Sequence, residues 1–159
     1  MFDQFDPDLP GHFQGDITSV TVTDPAVTGV SGQLRNLVID PTQPFDVKVD
    51  WSFTGDLVKL WLAALKGNFV VSVYAESIGG GPELLAGSNS AIAASFNSSS
   101  YSATVNVPAF TLQEGDPGST TSGIYKLVVS VFLDSNLGTP GYDIIGFHEG
   151  PIIQAENPL

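Results

Sequence analysis

The sequence predicts an all-β protein, an antiparallel sandwich of seven to eight short strands with one short inserted helix. Three observations predict it. Apolar and polar residues alternate in several segments, most clearly over residues 45–54, as in strands with one buried face. Turn-forming residues separate these segments at short intervals. Strands do not alternate regularly with helices, which disfavours a parallel sheet.

Composition supports one domain with an ordinary core. The chain has 159 residues, of which 42% are hydrophobic and 14% charged, against a typical charged fraction of ~25%. These values exclude disorder for most of the chain and exclude a charge-rich helical bundle. We divide the sequence into an N-terminal extension over residues 1–15 and a single sandwich domain over residues 16–157.

The charge balance excludes several kinds of partner. Seventeen acidic and five basic residues give a net charge of −12, and no basic cluster is present for nucleic acid or for an anionic membrane surface. No apolar run approaches the ~20 residues of a membrane-spanning helix. The chain has no cysteine, which excludes disulfides and thiol chemistry. No signal peptide is visible, although the composition favours an extracellular, cell-surface or particle-associated location.

The N-terminal extension combines aromatic residues with acids and turn formers. Phe2, Phe5 and Phe13 lie among aspartates, and interspersed prolines and glycines disfavour a long helix or a central strand. We expect the three phenylalanines to dock in a neighbouring subunit or to add a strand to an exposed sheet edge. The alternative is a segment folded on its own domain.

The first half of the domain contains three predicted strands and the helix. The strands cover residues 17–23, with a bulge near Ser19, residues 34–40, and residues 45–54. Over residues 56–66 the period changes, because Leu57, Trp61 and Leu65 recur at helical spacing. An acid opens this segment, and Gly67 follows it as a left-handed cap. We predict a short amphipathic helix packed on the sandwich.

The second half of the domain contains the remaining strands. They are predicted at residues 68–78, 101–107, 124–134 and 142–155, with a weak strand or extended loop at 83–94. A long loop occupies residues 109–122. Gly150-Pro151 predicts a bulge or an edge in the last strand.

The segment Gly123-Ile-Tyr125-Lys-Leu127-Val-Val129 resembles the sixth strand of immunoglobulin-like and fibronectin III-like sandwiches. The resemblance covers roughly residues 16–156 at the level of pattern. It implies that Tyr125 hydrogen-bonds back across a corner, and that Leu127 occupies the position of the second cysteine of antibody domains. The cysteine pair itself is absent. Folds of this type host many functions, so the resemblance implies no activity.

Two strands expected to be neighbours are apolar on both faces. Beyond their core residues they carry five further apolar side chains, which are Val70, Tyr74, Ile124, Val128 and Phe132. Such a face is too apolar to be freely solvated. It is covered either by the helix at residues 56–66 or by another subunit, and the sequence alone leaves both alternatives open.

Catalytic, metal and glycan sites find little support. His148 stands beside Glu149, but adjacent strand residues point to opposite faces. Calcium prefers carboxylate oxygens, and the candidate acids lie in loops, where they also serve solubility; they are Asp6, Asp8, Glu114, Asp116, Asp134 and Asp143. Trp51 and Trp61 are expected in the core, which leaves Tyr74, Tyr101 and Tyr142 as scattered candidate platforms for a sugar.

The sequence therefore predicts a non-enzymatic structural or interaction module that self-associates or forms part of a fibre, sheath, surface or particle. The expected partner is protein, above all a second copy, and no cofactor is required, with calcium as the one possible ion. The expected contact residues are Phe2, Phe5, Phe13, Val70, Tyr74, Ile124, Val128 and Phe132. The alternative is a module that binds glycan or calcium through the loops at one end.

Overall fold

Two β-sheets and one helix form the protein in the computed structural model, which describes residues 4–23, 38–116, 118, 120–138 and 144–157. The elements in these ranges are β1 (Gln4–Asp6), β2 (Gln14–Thr23), β3 (Val38–Ile39), β4 (Phe45–Thr54), α1 (Val58–Leu65), β5 (Asn68–Ser77), β6 (Glu83–Ala93), β7 (Ser100–Val107), β8 (Ile124–Asp134) and β9 (Ile145–Ala155). The predicted all-β class and the single helix are confirmed. The described ranges hold nine strands rather than seven or eight, because β1 was not predicted and the weak segment at residues 83–94 forms a full strand, β6.

The strands divide unequally between the two sheets. One sheet has the order β1-β9-β8-β5-β6, with β3 also paired to β9, and the other has the order β2-β4-β7. Every pair is antiparallel except β3 with β9. The register of β2 shifts between Ile17 and Ser19, where the sequence predicted a bulge. On β9, β1 pairs with residues 145–147 and β3 with residues 154–155, and Pro151 lies between these two partners.

The core lies between the inner faces of the two sheets. The alternating residues predicted for β4 are buried, as are those of the core side of β8. An aromatic cluster joins the sheets, because the Phe69 ring of the larger sheet lies 5.3 Å from the Trp51 ring and 5.8 Å from the Phe53 ring. Such contacts add to the burial of apolar surface that drives folding.

The two sheets approach each other closely along β6 and β7. A side chain at Gly87 would collide with the backbone carbonyl of Asn106 on β7. Two residues further along β6, the Nδ2 atom of Asn89 donates a hydrogen bond of 2.9 Å to the carbonyl of Thr104. Glycine permits the close approach, and the asparagine side chain occupies a backbone acceptor at the edge of β7.

The N-terminal segment folds on its own domain, which corrects its interpretation as a tail that docks in a neighbour. Phe5 is 5% exposed and Phe13 is fully buried. Strand β1 pairs with β9 inside the same chain, and β2 begins at Gln14, so a continuous strand crosses the predicted boundary at residue 15. Phe2 lies outside the described residues.

Helix α1 lies across one end of the sandwich. Val58, Leu62 and Leu65 join the core, and the ring of Trp61 packs 5.1 Å from that of Phe13. The buried stripe is therefore rotated by one residue from the predicted one, and Leu57 is exposed. The helix ends at a residue pair with positive φ, as the cap pattern predicted.

None of the described helical residues forms a segment long and apolar enough to cross a membrane.

Candidate functional site

The outer face of the six-stranded sheet is the main candidate site. We define it by the apolar side chains that its strands direct away from the core, which are Val70, Tyr74, Leu85, Ile124, Val128, Phe132, Ile145, Phe147 and Ile152. Phe147 is 51% exposed and Leu85 53% exposed, whereas Val70, Val128 and Phe132 are half-buried. Exposed apolar patches of this kind are typical of interaction sites.

Strand register brings these side chains into rows across the sheet. Val70 lies opposite Phe132, which lies opposite Ile145. In another row, Leu85 lies opposite Tyr74, and Tyr74 lies opposite Val128. The rows span four strands, and a row made of Ser88, Ser72, Ser130 and Phe147 lies between them. The surface is therefore largely apolar, with a strip of small hydroxyl side chains across it.

Helix α1 does not cover this face. Its buried side chains enter the core at the end of the sandwich, where Phe13 also contacts Phe53 of the smaller sheet, with ring centroids 5.1 Å apart. Of the two alternatives open at the sequence level, coverage by the helix is wrong. The described part of the chain leaves Tyr74, Ile124 and Phe147 exposed.

The polar groups on the outer face are largely satisfied within the chain. Lys126 Nζ lies 3.2 Å from Glu149 Oε1 and 3.5 Å from Glu76 Oε2. The hydrogen bond to Glu149 is the main cause that raises the pKa of Lys126 above its ordinary value, while desolvation opposes it and both carboxylates add attraction. Ser72 and Ser130, paired across β5 and β8, are almost buried among larger neighbours.

Sequence reasoning missed four apolar residues of the outer face: Leu85, Ile145, Phe147 and Ile152. Leu85 belongs to β6, whose weak alternation permitted a loop. Ile145, Phe147 and Ile152 lie on β9, where Gly146 and Gly150-Pro151 interrupt the pattern. The alternation of Ile145, Phe147 and Glu149 could have identified Phe147, because residues two apart in a strand lie on the same face.

The predicted contact residues Phe5 and Phe13 do not lie on the outer face, whereas those on β5 and β8 do. Phe5 and Phe13 are in the core, as described above, so their side chains are occupied within the chain. The five residues predicted on β5 and β8 all lie on the outer face, and the register of these strands brings Val70 next to Phe132 and Tyr74 next to Val128.

The outer face of the three-stranded sheet contrasts with this surface, because it is polar. Asp50 at its centre accepts a hydrogen bond of 2.7 Å from Ser19 and lies 3.6 Å from Lys48. Burial opposes ionisation of Asp50, but the hydroxyls of Ser19 and Ser102 together with Lys48 outweigh it and lower the pKa of Asp50. The outer face of the smaller sheet is therefore a polar surface suited to contact with water. Because only the larger sheet has an apolar outer face, it is the candidate interaction site.

The histidine and glutamate at residues 148 and 149 diverge, as their alternation predicted. Glu149 bonds Lys126 on the outer face, while His148 lies opposite Val129, whose side chain is in the core. The His148 and Glu149 side chains therefore leave opposite faces of β9.

The candidate calcium acids fall into separate places. Glu114 and Asp116 line a cavity of about 310 Å³ together with Glu156, and Asp6 and Asp8 line a different one beside Phe147. Among the described residues no group of three or more acids, histidines or cysteines is arranged to hold a metal ion. Asp143 lies outside the described residues.

The candidate aromatic platforms are also dispersed. Trp51 is buried, as predicted, and stacks on Tyr101 at 5.6 Å. The hydroxyl of Tyr101 donates to the carbonyl of Ser98 at 2.7 Å, and burial raises the pKa of Tyr101. Trp61 is half-buried. Tyr74 is exposed but belongs to the outer face, and Tyr142 lies outside the described residues.

Comparison of the chain with protein-family models, with curated proteins and with solved structures finds no match.

Proposed function

We propose that the protein is a non-enzymatic structural module that self-associates through the outer face of the six-stranded sheet, as part of a larger assembly such as a fibre, sheath, surface or particle. The observation that carries the proposal is the largely apolar outer surface of that sheet, with Phe147 51% exposed and the helix placed elsewhere. Removing such a surface from water is the main driving force of association.

The chemistry of the face suits a second copy of the same face. Its one described cation, Lys126, is already neutralised by Glu76 and Glu149, so a partner need not supply an opposite charge. Four strands of eight or more residues present roughly 600 Å² of flat area at ordinary strand spacing. Because side chains add surface to this flat area, the accessible area that the face could bury approaches the ~800 Å² per partner of a standard interface.

A two-fold arrangement also suits the distribution of charge. The Glu76–Lys126–Glu149 cluster lies off the centre of the face, because Glu149 lies opposite Val128 and Glu76 lies opposite Lys126 in the next row. A two-fold axis through the centre would place the two clusters on opposite sides of the axis, so that they do not meet. Sheets pack face to face in this way in ordinary sandwiches.

We further infer that the module is an immunoglobulin-like or fibronectin III-like sandwich. The order β2-β4-β7 corresponds to strands A-B-E of that fold, and β6-β5-β8-β9 corresponds to C′-C-F-G. Tyr125 near the start of β8 donates to the carbonyl of Gln113 at 3.0 Å and accepts from its N–H at 3.0 Å. This is the hydrogen bond that the resemblance predicted.

The proposal is tested by placing a charge in the face. We expect Val128→Asp to lower the weight-average mass measured by light scattering at each protein concentration, because an ionised carboxylate cannot be buried unpaired in an apolar interface. Phe147→Asp is the second variant, since residue 147 is half-exposed and its replacement costs the single chain little.

Thr104→Asp is the matched control, because it adds the same charge to the polar outer face of the smaller sheet. It should leave the mass unchanged. A wild-type protein that stays at the single-chain mass of 16.7 kDa at all concentrations, or folded Val128→Asp and Phe147→Asp variants that both associate like the wild type, would overturn the proposal.

A further inference from the structure

A second apolar surface lies at the end of the sandwich closed by α1, which we call the helix end. Leu57 and Leu60 point outward from the helix, and Leu60 is 67% exposed. Leu9, Phe96 and Leu137 are also exposed on neighbouring loops. Backbone hydrogen bonds hold these loops against the helix: Leu57 N donates to His12 O at 3.0 Å, Ala94 N to Gly67 O at 3.0 Å, and Asn136 N to Leu65 O at 3.1 Å.

The helix itself indicates that this end is covered in the functional state. Its sequence, Val-Lys-Leu-Trp-Leu-Ala-Ala-Leu, contains one charged residue. One side enters the core through Val58, Leu62 and Leu65, yet the opposite side is also apolar. A helix that is hydrophobic all round is normally buried on every side.

The opposite end, which we call the loop end, carries a single prominent aromatic residue. Phe110 is 76% exposed and has a φ of 64°, a backbone conformation that is unfavourable for a bulky side chain. Its N–H donates a hydrogen bond of 2.7 Å to the carbonyl of Pro41, which fixes the loop that projects the ring. Val38 is exposed on the adjoining β3.

The helix end carries both signs of charge, with Asp56 and Asp134 near two lysines, whereas the charged residues around the loop-end cavity are all acidic. Lys59 and Lys66 are exposed at the helix end, and neither forms an ion pair with the described residues. Asp56, the nearest acid on the chain, is already paired with His12 at 2.7 Å. At the loop end Glu114, Asp116 and Glu156 surround one cavity, and no described lysine or arginine pairs with them.

We propose that the helix end of one copy binds the loop end of the next, with the Phe110 ring packed against Leu60 and Phe96 and with Lys59 and Lys66 facing the carboxylates. The two surfaces are different, so the contact is heterologous and repeats along a line unless it closes into a ring. The inference rests on the proposed self-association for the identity of the partner, but it uses surfaces separate from the outer face.

Complementation tests the contact in a Val128→Asp background, which removes the outer-face contact. We expect Leu60→Asp or Phe110→Asp, each added to that background, to reduce association to the single-chain mass. A one-to-one mixture of the two should form a pair of twice that mass that grows no further, because each variant retains one intact end. Both positions tolerate aspartate, since residue 60 lies in the first helical turn and residue 110 has a left-handed backbone.

Reversing the charges at the two ends is a second test of the end contact. Lys59→Glu/Lys66→Glu should lose the end contact, and adding Glu114→Lys/Glu156→Lys to the same chain should restore it. A Val128→Asp parent that never exceeds the single-chain mass, a mixture that forms no pairs, or single variants that still associate would each overturn the inference. Failure of the outer-face proposal is recognised separately, by an unchanged mass of Val128→Asp relative to the wild type.

Discussion

Tyr125 shows how much one residue type in context can predict. The resemblance of its strand to the sixth strand of immunoglobulin-like sandwiches implied a hydroxyl that hydrogen-bonds back to the chain. In the structure the side chain is fully buried, and its hydroxyl both donates to and accepts from the backbone of Gln113. The sequence could not identify Gln113 as the partner, because the path of a long loop depends on packing that local pattern does not encode.

Tyr125→Phe should lower the free energy of unfolding by about 1–3 kcal/mol, because it leaves a backbone donor and a backbone acceptor of Gln113 without their partner. Urea unfolding followed by circular dichroism measures the change. Tyr74→Phe is the control, since that hydroxyl lies on an exposed ring. Equal stability of Tyr125→Phe and wild type would show that water replaces the lost hydrogen bonds.

Strand β1 shows, at the scale of an element, why the sequence led to the wrong interpretation of the N-terminal segment as a tail that docks in a neighbour. Its three residues are too short for a period to appear, and the phenylalanines resembled an unanchored segment. The anchor is formed by residues far away in sequence, because side chains at Gly15 of β2 or Gly146 of β9 would collide with the Phe5 ring. Gly15, which lies in the predicted N-terminal extension, and Gly146, which interrupts the sequence pattern of the last strand, create the slot that the ring fills.

A double-mutant cycle tests this slot. Phe5→Ala should cost about 3 kcal/mol of stability through lost burial, and Gly146→Ala about 1–3 kcal/mol because the ring must shift. The double variant should be more stable than the sum of the two predicts, by more than about 1 kcal/mol, since removing the ring makes room for the methyl group. Strictly additive effects, measured by chemical unfolding, would place the ring elsewhere.

At the scale of the whole molecule, alternation predicted the core well, because the buried faces of β4, β5 and β8 are each strictly periodic. The helix was predicted in the right place with its stripe one residue out, since a helix of eight residues that is apolar all round has no unique hydrophobic side. Which surface the helix covers could not be predicted, because that depends on the direction of two loops.

Two independent contacts predict a defined assembly. If the outer face pairs copies and the ends join them in line, Leu60→Asp alone should stop assembly at the pair, with twice the mass of a 16.7 kDa chain, because isologous contacts close while heterologous contacts continue. Analytical ultracentrifugation across a concentration series measures this. Unlimited growth of Leu60→Asp would contradict the division of roles between the two surfaces.

The partners of β9 have a consequence for how such a protein avoids uncontrolled growth. A β-rich chain that associates runs the risk of cross-β aggregation, in which unpaired strand edges recruit further strands. Here β1 and β3 pair with the two ends of β9 on the side away from β8. The part of β9 between them contains Pro151, which has no backbone N–H to donate. At this edge of the larger sheet, copies brought close together by side-chain contacts would therefore find few free backbone groups with which to extend the sheet.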